Sequence, residues 1–185
     1  MSDGNYELQY TERLYSKISE KAVFKASVWP SGSDTISTIV VKFATRYCQC
    51  AHQLLADQLL APNLWFCEVV ESVGMYVVVM DYTKGWCVDN MSLIPLEPCR
   101  VIGEAIKALH VENLIFGDLR PPNIILCEGS VYTKGAVLIN FKWCGKEGKV
   151  FYHLDLNEEK LLSGMKVFAL MERFFMNMTL LCLTR

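Results

Sequence analysis

The apolar positions of the first half of the chain fall in short runs rich in β-branched and aromatic residues, with turn formers between them. Leu14 to Ile18, Val23 to Trp29 and Thr38 to Thr45 read as three strands. Pro30-Ser31-Gly32-Ser33-Asp34 forms a hairpin loop between the last two, because proline fixes one dihedral and glycine supplies the permissive one. From Cys50 to Leu60 the spacing changes: Leu54, Leu55, Gln58 and Leu59 share one helical face, and Ala61-Pro62-Asn63 ends the helix. Leu64 to Val70 and Met75 to Asp81, bridged by Glu71-Ser72-Val73-Gly74, add two strands. Residues 1–84 therefore read as an antiparallel five-stranded unit with one helix, and residues 85–185 as a second, mostly helical one.

In that second part Val101, Ile102, Ala105, Ile106 and Leu109 make one apolar stripe, which predicts a core helix from Val101 to His110. Leu114 to Phe116, Asn123 to Cys127 and Ala136 to Asn140 are short strand-like runs around a loop with two prolines. Near the C-terminus Phe168, Met171, Phe175, Met178 and Leu181 recur at three- and four-residue steps, so Met165 to Leu183 reads as a buried amphipathic helix. Glu172, Arg173 and Asn177 interrupt it, and their burial in hydrocarbon would be costly; no membrane span is expected.

Composition narrows the class. A chain of 185 residues with 52% apolar content can bury a core. The formal charge is −2, and basic residues are scattered, so there is no footprint for nucleic acid or an anionic lipid surface. Met1 to Gln9 lacks the basic start and apolar run of a secretory signal, which points to a cytoplasmic protein. The eight cysteines, Cys48, Cys50, Cys67, Cys87, Cys99, Cys127, Cys144 and Cys182, lack paired CxxC spacing and read as reduced thiols, mostly buried. Cys48-Gln49-Cys50 alone supplies too few ligands to specify a soft-metal site.

The chemistry-bearing segment is Phe116-Gly117-Asp118-Leu119-Arg120-Pro121-Pro122-Asn123-Ile124-Ile125-Leu126, followed by Leu138-Ile139-Asn140-Phe141-Lys142. It resembles the catalytic loop and metal-binding segment of the protein kinase-like superfamily, where D-x-x-x-x-N aims a carboxylate at a substrate hydroxyl and an asparagine at a metal. The resemblance implies an α+β, two-lobed fold with a five-stranded N-lobe and a shortened C-lobe carrying the catalytic-loop-like segment 116–126. It implies that Asp118 and Arg120 carry catalysis, with Arg120 near the transferred phosphate, and that Asn123 and Asn140 hold Mg2+. Ile39-Val40-Val41-Lys42 resembles the strand whose lysine meets the ATP phosphates. The run ending in Met80-Asp81-Tyr82 resembles the hinge that meets adenine, with Val40 and Ile125 on the faces of the base. The wording D-L-R-P-x-N, with Trp143 to Gly148, is most similar to small fungal kinase-like proteins.

The departures from the pattern are chemical. Asn140 stands where the superfamily places a metal-binding aspartate, and Lys142 follows where glycine is usual. A neutral amide and a nearby cation both disfavour magnesium, which prefers carboxylate oxygen. The phosphate-covering loop would be Ser19-Glu20-Lys21-Ala22, without glycine. Cys48 to His52 offers no glutamate to pair with Lys42; Gln49 or Glu68 would substitute poorly. Phe116 and Gly117 replace the usual histidine and arginine. These features predict a pseudokinase or protein-binding module with weak or no ATP binding, engaging a protein partner through its C-lobe or C-terminal apolar helix. The alternative is an active ATP-dependent serine/threonine-type phosphotransferase that uses Asp118. His52 and His110 read as surface or satisfied core residues.

Overall fold

A computed structural model of the chain describes residues 5–15, 22–32, 34–87, 96–128 and 135–146. The chain divides into two compact units, residues 1–47 with 62–82, and residues 48–61 with 83–185.

The first unit is a five-stranded antiparallel sheet built from β1 (Tyr6–Leu14), β2 (Val23–Pro30), β3 (Ser37–Ala44), β4 (Leu64–Val70) and β5 (Met75–Asp81), in the order β1-β2-β3-β5-β4. Four strands lie within one residue of their expected bounds. Alternation explains the core: Ala26 and Val28 of β2 and Ile39 and Val41 of β3 are buried, and Phe43, Trp65, Val77 and Val79 pack against them. Lys42 pairs in register with Val23 on one side and Val78 on the other.

The first strand corrects the sequence reading. It runs Tyr6–Leu14, earlier than the expected Leu14 to Ile18, and pairs with β2 from Tyr6↔Pro30 to Leu14↔Val23 across an irregularity between Tyr10 and Glu12. Tyr6 to Arg13 are all exposed, because β1 is the sheet edge and only Tyr10 and Arg13 lie against a neighbouring ring, that of Phe24, among the ring contacts described. Tyr6, Leu8 and Tyr10 alternate with Glu7, Gln9 and Thr11, but each stays about half exposed and the run holds few β-branched residues, so it does not stand out as an apolar strand.

The second unit holds α1 (Gln49–Ala56), α2 (Leu96–Val111) and short strands: β6 (Gly85–Cys87), β7 (Leu114–Ile115), β8 (Ile124–Cys127), β9 (Ala136–Leu138) and β10 (Gly145–Lys146). Strands β6-β8-β9 form one small sheet and β10-β7 another. The predicted stripe of α2 faces inward: Val101, Ile102, Ala105 and Leu109 are buried. Helix α1 goes with this unit by its contacts. His52 stacks on Phe141 at 4.6 Å, and the Cys48 amide donates to the Phe141 carbonyl at 3.2 Å.

Among the described residues no helix is long and apolar enough to cross a membrane. Met165 to Leu183 and the loop Ser19 to Lys21 lie outside the described residues.

Candidate functional site: a catalytic-type loop closed on itself

The loop after α2 is shaped by local backbone chemistry. β7 delivers Phe116 into the core, and Gly117 then turns the chain at φ +66°. No other residue fits there, since a Cβ on Gly117 would overlap the carbonyl oxygen of Trp143. The Asp118 amide donates to the Phe116 carbonyl at 2.8 Å, closing the turn. Pro121 to Asn123 form a single 3-10 turn, with proline at its first position where no amide donor is needed. Strand β8 starts directly afterwards and fixes the loop's far end.

Three polar side chains meet in this loop. Asp118, 7% exposed, accepts from Arg120 Nη2 through Oδ2 at 3.1 Å, and Arg120 Nε lies 2.7 Å from Oδ1. The Nε contact is an ion pair by distance, not aligned as a hydrogen bond. Asn123, 4% exposed, donates its amide to Asp118 Oδ2 and to the Asp118 carbonyl, each at 2.7 Å. Buried polar groups require such partners.

The fourth member arrives from β9. Asn140 adopts left-handed backbone geometry at φ 72° and ψ 64°, which asparagine tolerates better than most residues. Its Nδ2 donates to Asn123 Oδ1 at 3.0 Å. The Asn123 oxygen, the atom expected to bind metal, thus accepts a hydrogen bond from the amide that replaces the expected aspartate.

An aromatic stack supports this arrangement from below. Phe141, fully buried, stands edge-to-face on Phe116 at 5.4 Å while stacking on His52 at an interplanar angle of 9°. One ring therefore ties the start of the loop at Phe116 to α1 at His52. The sequence reading left Phe141 and His52 without a joint role; only their juxtaposition shows it.

The nucleotide residues expected in the first unit are in regular sheet positions. Lys42 is half-buried on β3, with Nζ 5.7 Å from the Tyr47 ring centroid. Val40 is half-buried and Met80 buried. The Asp81 amide donates to the Asn63 carbonyl at 2.9 Å, and the Tyr82 amide to the Thr38 carbonyl at 3.1 Å. The Asp81 carboxylate accepts from Trp65 Nε1 at 2.6 Å, and Lys25 lies over the Tyr82 ring at 4.3 Å. Both hinge-type amides are thus committed within the first unit, at the ends of its strands. In the second unit Ile125 is half-buried on β8.

No protein-family model matches the chain. Its sequence is similar to KEOPS complex subunit Bud32 of Pyrococcus abyssi, 36% identical over 61 residues, which are 30% of this chain and 28% of the archaeal protein. Its fold is similar to the structure of the Cydia pomonella Granulovirus kinase PK-1, with a TM-score of 0.58 at 17% sequence identity, covering 85% of this chain and 60% of the viral one. The chain thus spans less than a third of the archaeal protein and three fifths of the viral kinase. Neither is fungal. The five-stranded sheet, the helix-then-loop arrangement around Asp118 and the structural match agree: this chain has the fold of the protein kinase-like superfamily.

Proposed function

We infer that this chain is a degenerate kinase-like protein, a pseudokinase or protein-binding module in which an internal hydrogen-bond network replaces nucleotide-linked metal binding. The observation that supports this is the amide of Asn140 on Asn123 Oδ1. Asn123 and Asn140 are the residues that would hold Mg2+, and they offer neutral amide oxygens, one already accepting a hydrogen bond. Among the described residues there is no group of three or more His, Cys, Asp and Glu side chains arranged for a metal. The donor set therefore fits a hard divalent cation poorly.

Nucleotide without metal is a separate matter. Lys42, Val40, Met80, Asp81, Tyr82 and Ile125 are the residues proposed to contact ATP, with Lys42 as the phosphate partner. Amides 81 and 82 donate within the first unit, so adenine would meet the remaining hinge groups instead, which argues for weak binding. A protein partner engaging the C-lobe, or the apolar segment from Met165 to Leu183, completes the proposal.

The test is thermal denaturation with ATP, with and without magnesium. The expected result is a small shift, or none, that magnesium does not enlarge. A metal-dependent rise of several degrees would overturn the reading.

One observation favours a second reading, an active serine/threonine-type phosphotransferase. Asp118 is buried and held in place by Arg120 and Asn123. A general base must be positioned in this way before it can accept a hydroxyl proton. Radiolabel transfer from ATP to protein substrates, lost in a folded Asp118→Asn variant, would establish it; no transfer across a broad substrate panel would reject it.

A further inference from the structure

Three cysteines distant in sequence or function from the polar loop converge at the start of α1. Cys48 is the residue immediately before the helix, Cys50 lies in its first turn, and their sulfurs stand 3.5 Å apart. Cys144, buried just after the turn that holds Phe141, lies on the segment that meets the start of α1. The Cys48 amide on the Phe141 carbonyl fixes the two segments together. Cys50 is exposed, Cys48 half-buried and Cys144 buried, so the cluster opens to solvent at one end.

We propose that Cys48 and Cys50 form a peroxide-oxidisable thiol pair, with Cys48 the attacking sulfur, Cys50 the resolving one and Cys144 the buried thiol on the adjoining segment. The Cys144 side chain is the largest influence on Cys48 and outweighs burial, lowering its pKa to about 6. Cys144 is pushed far up by its neighbour Cys48 and by burial, so it stays a thiol. Cys50 is raised by burial and by its neighbour Cys48. A thiolate is the form that reacts with peroxide.

The steps balance. The Cys48 thiolate forms a bond to one peroxide oxygen, the O–O bond breaks, and the leaving oxygen departs as water or alcohol after taking a proton. The Cys50 sulfur then attacks the sulfenic sulfur, the S–O bond breaks, and that oxygen leaves as water with the Cys50 proton. Two thiols are oxidised by two electrons and one peroxide is reduced. Oxidation removes the negative charge of Cys48, one of the causes that hold the Cys50 pKa up, so the second step becomes easier once the first has occurred. Closing 3.5 Å to a disulfide length of about 2.05 Å requires movement of the first turn of α1.

The experiment uses the full chain. The rate of alkylation at each cysteine is followed against pH by mass spectrometry, and peroxide-treated protein is mapped for disulfides. The expected result is a midpoint for Cys48 near 6, against Cys127, which burial pushes up to about 11, and a Cys48–Cys50 disulfide formed at stoichiometric hydrogen peroxide. Cys50→Ser should leave a sulfenic acid on Cys48 that a dimedone probe captures. Cys144→Ala should raise the Cys48 midpoint and Cys144→Ser restore it. A wild-type Cys48 midpoint near the ordinary thiol value, or peroxide that oxidises other cysteines first, overturns the proposal without any variant needing to fold.

Discussion

Replacing Gly117 by alanine separates two costs that usually come together. The first is conformational: at φ +66° an alanine sits in the left-handed region, at about 1–2 kcal/mol. The second is steric. The new Cβ would lie well inside 3.0 Å of the Trp143 carbonyl oxygen, a backbone atom that cannot rotate away. Relieving the overlap means shifting the 3-10 turn Phe141–Trp143, whose ring at Phe141 is fully buried; such overpacking typically costs about 1–3 kcal/mol. Together the two come to about 2–5 kcal/mol, a large part of a typical domain stability of about 5–15 kcal/mol. Gly135 in the same unit is the control, because its φ is +81° and a Cβ there meets nothing within 4 Å. Gly135→Ala should lose only the conformational part. Urea unfolding followed by fluorescence measures both, and the two midpoints should differ by on the order of 1 M for ordinary denaturant slopes. Equal midpoints would refute the claim that the Trp143 carbonyl dictates glycine at position 117.

Other substitutions test the remaining contacts. Phe141→Ala removes the ring shared by His52 and Phe116 and should cost about 3–5 kcal/mol in chemical denaturation, with Phe141→Leu costing clearly less. Asp118→Ala leaves Asn123 Nδ2 short of one acceptor and Arg120 without its carboxylate, so a loss of about 1–3 kcal/mol in the same assay is expected. Asn140→Asp replaces a donor by an acceptor facing Asn123 Oδ1; its melting temperature should fall in chelator and recover with millimolar magnesium more than the wild type does. An unchanged melt in chelator would show that the Asn140 amide contributes nothing.

Much of the fold could be read from the chain because burial leaves a period in it. Val41, Val78 and Met80 alternate with less buried neighbours, so those strands fell close to where the pattern placed them; the stripe of α2 repeats at helical spacing, yet the helix begins at Leu96 and not the expected Val101, and α1 ends at Ala56 and not the expected Leu60. The misplaced first strand has a different cause: Tyr6, Leu8 and Tyr10 do alternate with polar residues, but they sit half exposed on a sheet edge among charged and polar neighbours, which makes the run read as polar. Strands β6 and β10 span 3 and 2 residues, too short for any period to register. In the site, residue types announced the loop around Asp118, and the loss of charge at Asn140 was evident from its identity. What the amide does with its protons was not, since that depends on which side of Asn123 it faces. The meeting of Cys48 with Cys144, and of Gly117 with the Trp143 carbonyl, joins segments far apart along the chain and has no local signal.

The amide of Asn140 also acts as a resident competitor. A cation seeking Asn123 Oδ1 meets an oxygen with one of its two lone pairs already accepting, and full access to that atom requires the two asparagines to part. If that contact has the usual net strength of about 1 kcal/mol, the parted form is roughly one molecule in six, so apparent affinity falls by at most about the same factor. That penalty comes on top of the missing charge. A loop of this kind keeps its working shape with nothing bound, so a well-formed backbone around Asp118 reports the strength of its own side-chain ties, independently of whether any phosphate has ever been transferred there.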